Sequence, residues 1–117
     1  MTREQFRRMA LRLPGSSEQS HRGHPDFRVG GRIFATLDYP GKGWAMVKLL
    51  PEQQAQFVAA QPDCLLPVKG NWGRGGSTNV RLKGATAPKL QPALETAWRN
   101  VAPQGLRHLR PAPLQVR

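Results

Sequence analysis

The sequence predicts an α+β fold, a two-layer domain in which helices cover one face of an antiparallel sheet. Three observations predict it. Helical and strand-like periodicities alternate in the order helix, strands, helix, strands, helix. Gly30-Gly31 and the stretch Tyr39-Pro40-Gly41-Lys42-Gly43 separate consecutive β-rich runs as hairpin turns do. With 117 residues the chain reads as one domain, 1–117, large enough for a single core and too small for two.

The first helix starts at a capping box, Thr2 followed by Gln5, and presents Phe6, Met9, Ala10 and Leu13 as an i, i+3, i+4, i+7 stripe before Pro14-Gly15 ends it. Arg3, Arg7, Arg8 and Arg12 lie off that stripe. Three strands follow, Phe27 to Val29, Arg32 to Leu37 and Trp44 to Leu49. Gly30-Gly31 suits a type I′ turn, whose two central residues both need positive φ. A second helix opens at Pro51 with Glu52 near the positive end of its dipole and runs to about Ala60, before Pro62. Leu65 to Lys69 and Thr78 to Lys83 read as a second hairpin with a glycine-rich tip. The third helix has the strongest stripe, Leu90, Ala93, Leu94, Ala97, Trp98 and Val101. Pro92 is expected in its first turn, or at a kink, so the regular part should begin near Lys89 to Gln91. Phe6, Phe27, Phe34, Trp44, Phe57 and Trp98 are assigned to the core. Residues 103–117 have three prolines and no clear period, and are expected to form a loose basic tail.

Composition narrows the function. No run approaches the roughly 18 apolar residues of a membrane span, and MTREQFRRMALRLPG lacks the apolar region of a secretory signal. A single cysteine, Cys64, rules out an intramolecular disulfide framework and a C-x-x-C zinc site, and reads as a small core residue. A cytoplasmic protein is the simple expectation. The net charge of +11 is uneven. Met1 to Asp63 has nine Lys and Arg against six Asp and Glu; Cys64 to Arg117 has nine against one, Glu95. This cationic half points to a polyanionic partner, nucleic acid before membrane, since no basic amphipathic helix with a bulky apolar face accompanies it.

The stretch GNWGRGGST, Gly70 to Thr78, comes within one residue of a phosphate-binding P-loop. Gly76 stands where that motif needs lysine, and the period-two run from Thr78 to Lys83 replaces the helix that should follow. The loop is therefore not expected to form a nucleotide-hydrolysing site. A second constellation, Glu18, His21, His24 and Asp26, holds the residue types of a metal site or general base. On an extended strand His24 and Asp26 share a face and His21 points to the other, so a common site needs a turn at Gly23. Pro25-Asp26 suggests a turn too, with Asp26 bonded to its own backbone or to Arg28 or Arg32, and this structural role is the favoured one.

The stretches LPGSSEQSHRGHPDFRVGGRIFATL, VKLLPEQQAQF, GNWGRGGSTNVRL and LETAWRNVAP occur in the order and spacing of the MmcQ/YjbR-like proteins, and the chain resembles that family from Phe6 to about Pro103. The resemblance implies a compact α+β fold similar to the frataxin (CyaY) type, a double-wing motif and a DNA-binding role, with no catalytic residues, metal or cofactor to carry over.

Two functional classes follow. The first is a non-enzymatic nucleic-acid-binding module, DNA favoured, monomeric by preference and with its oligomeric state open. It would grip phosphates with a basic, glycine-rich hairpin: Lys69 at the mouth, Arg74 at the tip, and Arg81 and Lys83 two apart on one strand face. Backbone N–H groups of Gly70, Gly73, Gly75 and Gly76 would approach the phosphate. Trp72 would stack on a base or anchor the loop to the core, anchoring being favoured. The second class is a small anionic-ligand binder or enzyme using the turn with His21, His24, Asp26 and Arg28. Salt separates the two, because phosphate tracking weakens steeply with salt and a compact site barely responds.

Overall fold

The computed structural model describes residues 1–110. Its first helix, α1 (Arg3–Leu11), forms behind the expected capping box: Gln5 N donates to Thr2 Oγ1 at 3.1 Å, and Thr2 N donates to Gln5 Oε1 at 2.7 Å. These bonds occupy amide donors that a helix start leaves unpaired. The apolar stripe is buried, with Phe6, Met9 and Ala10 turned inward.

Six strands form one antiparallel sheet: β1 (Ser17–His21), β2 (His24–Val29), β3 (Arg32–Leu37), β4 (Trp44–Lys48), β5 (Leu65–Pro67) and β6 (Ser77–Arg81), in spatial order β1-β2-β3-β4-β6-β5. The sequence reading missed β1. SEQSH is exposed at every position, so it has no apolar alternation to reveal it, and pairing with β2 makes it a strand. Gly30 and Gly31 form the expected turn between β2 and β3 with φ of 58° and 77°. One pairing irregularity at Phe27/Arg28 leaves Phe34 as an extra residue on β3, so Phe34, Ala35 and Leu37 all reach the core.

Helix α2 (Pro51–Ala60) follows β4, and the fourth helix of this chain (Ala87–Val101) follows β6. The latter starts earlier than the sequence indicated, because Thr86 caps it and Pro88 fits its first turn; Pro92 is accommodated inside it, and the Thr96 hydroxyl bonds the Pro92 carbonyl at 2.8 Å. The glycine-rich tip is not an extended hairpin end either. It holds a one-turn helix, α3 (Asn71–Arg74), which makes Ala87–Val101 α4.

Helices α1 and α4 cover one face of the sheet. Phe6, Leu90, Leu94 and Trp98 meet Phe27, Phe34, Leu37, Val47 and Val80 in one core that also takes in Cys64. The Trp98 indole donates to the Pro14 carbonyl at 2.9 Å, pairing the one polar atom of a buried side chain. Phe57 is only partly buried, and Trp44 pairs with Arg81 across the strands on the other face, so neither is the core residue it was assigned to be. After α4 a 3₁₀ turn at Gln104–Leu106 packs Leu106 against the core, while 111–117, the rest of the expected tail, lies outside the described residues. Among those described, no helix is long and apolar enough to cross a membrane.

Candidate functional site

The sheet face that α1 and α4 leave bare forms a cleft of about 520 Å³. Strand register builds its floor. Asp26 pairs with Thr36, Thr36 with Met46, Met46 with Asn79 and Asn79 with Leu66, so one row of side chains crosses five strands on this face. Two residues along β4 from Met46, Lys48 faces Ser77. Two residues back along β2 from Asp26, His24 faces His21. Because β2 and β4 run in the same direction, these pairs fall on opposite sides of the central row. From standard strand rise and spacing, Lys48 and His24 lie about 16 Å apart along the diagonal.

The walls come from turns. Val68, Lys69 and Trp72 rise at the Lys48 end, and Arg22 and Tyr39 at the His24 end. His24 packs edge-on against Tyr39, with ring centroids 5.7 Å apart and planes at 78°. Trp72 is 69% exposed and Tyr39 58% exposed, so each offers a ring face to solvent. The anchoring role favoured for Trp72 is thereby overturned. Its neighbour Gly73 is the buried residue of α3, and the indole is left outside.

The two sets of residues that the sequence treated as rival sites thus meet in part. His21, His24 and Asp26 line the same cleft as Lys69 and Trp72. His21 shares a face with His24 because the turn falls at Arg22-Gly23, with φ of 53° and 81°, and not at Pro25-Asp26, which lies inside β2. Asp26 is bonded neither to its own backbone nor to a histidine. Arg28 Nε and Nη2 donate to its two carboxylate oxygens at 2.8 and 3.0 Å, and hydrogen bonding to this buried carboxylate raises the arginine pKa. Among the described residues no group of three or more His, Cys, Asp or Glu is arranged to hold a metal ion.

The rest of the expected basic wing is dispersed. β6 ends at Arg81, and Lys83 sits in a 3₁₀ turn at Leu82–Gly84, so the two do not share a strand face. Arg81 donates through Nε and Nη2 to the Asp63 carbonyl at 3.2 and 2.7 Å. Arg74 donates to the Asn71 side chain within α3 and does not line the cleft. Gly73 and Gly76 have a packing explanation in place of a phosphate cradle. A Cβ on Gly73 would lie 1.5 Å from the Val68 carbonyl oxygen, and one on Gly76, at φ +109°, would lie 2.0 Å from that of Leu49. The amides of Arg74, Gly75 and Gly76 already donate to Gly70, Asn71 and Gly73 carbonyls, so they are closed to an anion. Gln54 ties the loop to α2, donating to the Gly73 and Ser77 carbonyls at 3.0 and 2.9 Å.

Several cleft residues escaped the sequence reading: Arg22, Thr36, Tyr39, Lys48, Ser77 and Asn79. The alternation in WAMVK and STNVR puts Met46 with Lys48 and Ser77 with Asn79, but only the register shows that both pairs share one face. Lys48 and Ser77 engage the protein through their backbone carbonyls, Lys48 accepting from Asn100 at 3.3 Å and Ser77 from Gln54. Among the described residues the side chains of Thr36, Lys48, Lys69, Ser77 and Asn79 take part in no hydrogen bond. The cleft therefore holds three cations, Arg22, Lys48 and Lys69, and one carboxylate, Asp26, which Arg28 already neutralises.

No curated protein matches the chain. Among solved structures, the fold is similar to that of the Deinococcus radiodurans protein DR2400, which carries the domain DUF419: TM-score 0.70 and 24% identity, over 89% of this chain and 80% of that one. The family model YjbR matches residues 11–100, a span running from the end of α1 through the cleft strands nearly to the end of α4. By that match the chain belongs to the YjbR family.

Proposed function

We propose that this protein is a non-enzymatic nucleic-acid-binding module, DNA being the favoured partner, which holds phosphates in the cleft on the open face of its sheet. The observation that carries this reading is the juxtaposition of Arg22, Lys48 and Lys69 with exposed Trp72 in a cleft whose single carboxylate is already paired. Free cations supply the sequence-independent attraction to phosphates, and aromatic faces supply stacking surface. The basic hairpin of the sequence reading survives here through Lys69 and Trp72, joined by residues of β4 and the β1–β2 turn. Binding is favoured over catalysis because Asp26, the carboxylate that would orient a histidine base, is held by Arg28. No cofactor enters the reading.

The backbone at Arg22 adds support. A non-glycine residue at φ 53° in a two-residue turn is the position where Asn or Gly is ordinarily found, and here it projects a cation beside the cleft. The test is fluorescence anisotropy with labelled DNA of unrelated sequences over a series of salt concentrations. Log affinity should fall linearly and steeply with log salt, and similarly for each sequence.

A second reading, a small anionic ligand, is favoured by the cleft volume of about 520 Å³, which falls within the range of ordinary ligand pockets, about 300–1,000 Å³. A shallow salt response with DNA, together with saturable binding of a mononucleotide or sugar phosphate, would select it.

A further inference from the structure

We infer that the cleft takes single-stranded nucleic acid, with an unstacked base seated on Trp72 and base edges meeting the polar floor of Thr36, Ser77 and Asn79. This rests on the nucleic-acid reading above and goes beyond it in naming the form of the strand. Its first support is shape. Proteins read duplex DNA by inserting a convex element, a helix or two-stranded ribbon, into a groove. Here Lys48 lies on the floor of a concave face and Lys69 on its wall, and α3, which carries Trp72 at the rim, is a single turn of four residues, too short to lie along a groove. A duplex keeps its base faces stacked inside, out of reach of Trp72, whereas a single strand can turn them outward.

The second support is the floor. The side chains of Thr36, Ser77 and Asn79 stand partly buried in the cleft yet bond to no protein group among the described residues, so their donors and acceptors are open to a ligand. Phosphates do not need an array of mixed donors and acceptors, but base edges do. The third support is extent. The diagonal of about 16 Å between Lys48 and His24 carries Lys48 and Lys69 at one end and His21, Arg22 and His24 at the other, and the row between them holds one carboxylate, Asp26, which is paired to Arg28. That layout fits a backbone running across the sheet with its bases turned inward, as on other sheet-face binders of single strands.

The experiment is anisotropy with a labelled mixed-sequence strand of about ten nucleotides, the same sequence as RNA, a hairpin duplex containing it, and an abasic strand of equal length. Each is titrated with the wild type, Trp72→Ala, Trp72→Phe and Asn79→Ala. The base-bearing strand, as DNA or RNA, should bind at least about tenfold more tightly than the duplex. Trp72→Ala should weaken that binding by roughly five- to hundredfold, the loss of one stacked base, and Trp72→Phe should recover most of it. The salt slope should be unchanged in both, because no charge is removed. Asn79→Ala should weaken the base-bearing strand and leave the abasic strand as it was. Trp72 is exposed, and circular dichroism of the variants checks that the fold is kept. Equal or tighter binding of the duplex, or a single-strand affinity indifferent to Trp72, would overturn the inference while leaving nucleic-acid binding in place. Binding of none of the probes would overturn both.

Discussion

Arg28 clasps Asp26 from two positions along the same strand, its Nε and Nη2 lying 2.8 and 3.0 Å from the two carboxylate oxygens. Both side chains stand on the open face of β2, and the carboxylate is 1% exposed. The pair fixes the character of the cleft, since an unclaimed Asp26 would leave a bare carboxylate there to repel a phosphate. Arg28→Ala should therefore lower both thermal stability and nucleic-acid affinity. Adding Asp26→Asn to that variant removes the stranded charge and should restore much of the stability. Thermal unfolding of the two variants side by side checks this.

Gly73 is fixed by the Val68 carbonyl. With only 1.5 Å between that oxygen and the point a Cβ would occupy, Gly73→Ala must push α3 away from β5, and it should cost about 1–3 kcal/mol of stability, as overpacking does. Gly70→Ala meets no neighbouring atom and is penalised only by its φ of +82°. Urea unfolding should rank Gly73→Ala as the more damaging of the two.

Asp38 carries a pH signature. The hydrogen bond from Arg3 lowers its pKa, with the Arg3 and His24 charges acting the same way and burial opposing them. A depressed folded-state pKa contributes stability that is present above the unfolded value and is lost as the pH falls through the folded one. Asp38→Asn keeps the shape and tolerates the φ of 65° at this position, so it isolates the charge. It should lower the melting temperature at neutral pH, and the difference from wild type should close as the pH falls below the ordinary carboxylate range.

The P-loop likeness leads to a plain expectation. Gly76 occupies the lysine position, β6 follows in place of a helix, and the amides of Arg74, Gly75 and Gly76 are already bonded within the loop. Calorimetry should show no magnesium-dependent, micromolar ATP or GTP binding.

Much of this fold was legible because its elements are marked by local chemistry. The Thr2–Gln5 box, the Gly30-Gly31 turn and the Leu90 to Val101 stripe each identify themselves within a few residues, and each appears in the structure. β1 was not legible, because an all-polar edge strand exists through its partner. The cleft was legible in fragments for the same reason. Trp72, Lys69, His21, His24 and Asp26 were singled out, but as two separate places, since their meeting depends on the register of four strand pairings and on the turn at Arg22-Gly23. The glycine-rich loop misled for a different reason. A glycine needed for close backbone packing and one needed for a phosphate look alike in a sequence, and only the Val68 and Leu49 carbonyls tell them apart.

If the cleft, and not the diffuse charge of the chain, grips a nucleic acid backbone, charge removed from the two places should act differently. The most direct measurement is the salt dependence of single-stranded DNA affinity for two double variants that remove equal charge, Lys48→Ala with Lys69→Ala in the cleft and Arg81→Ala with Lys83→Ala outside it. The cleft variant should bind more weakly to every sequence and reduce the log-log salt slope by about 1.4, two contacts at about 0.7 each on a single strand. The outer variant should keep a slope close to wild type. Equal losses in the two variants, or an unchanged slope in the cleft variant, would contradict this reading.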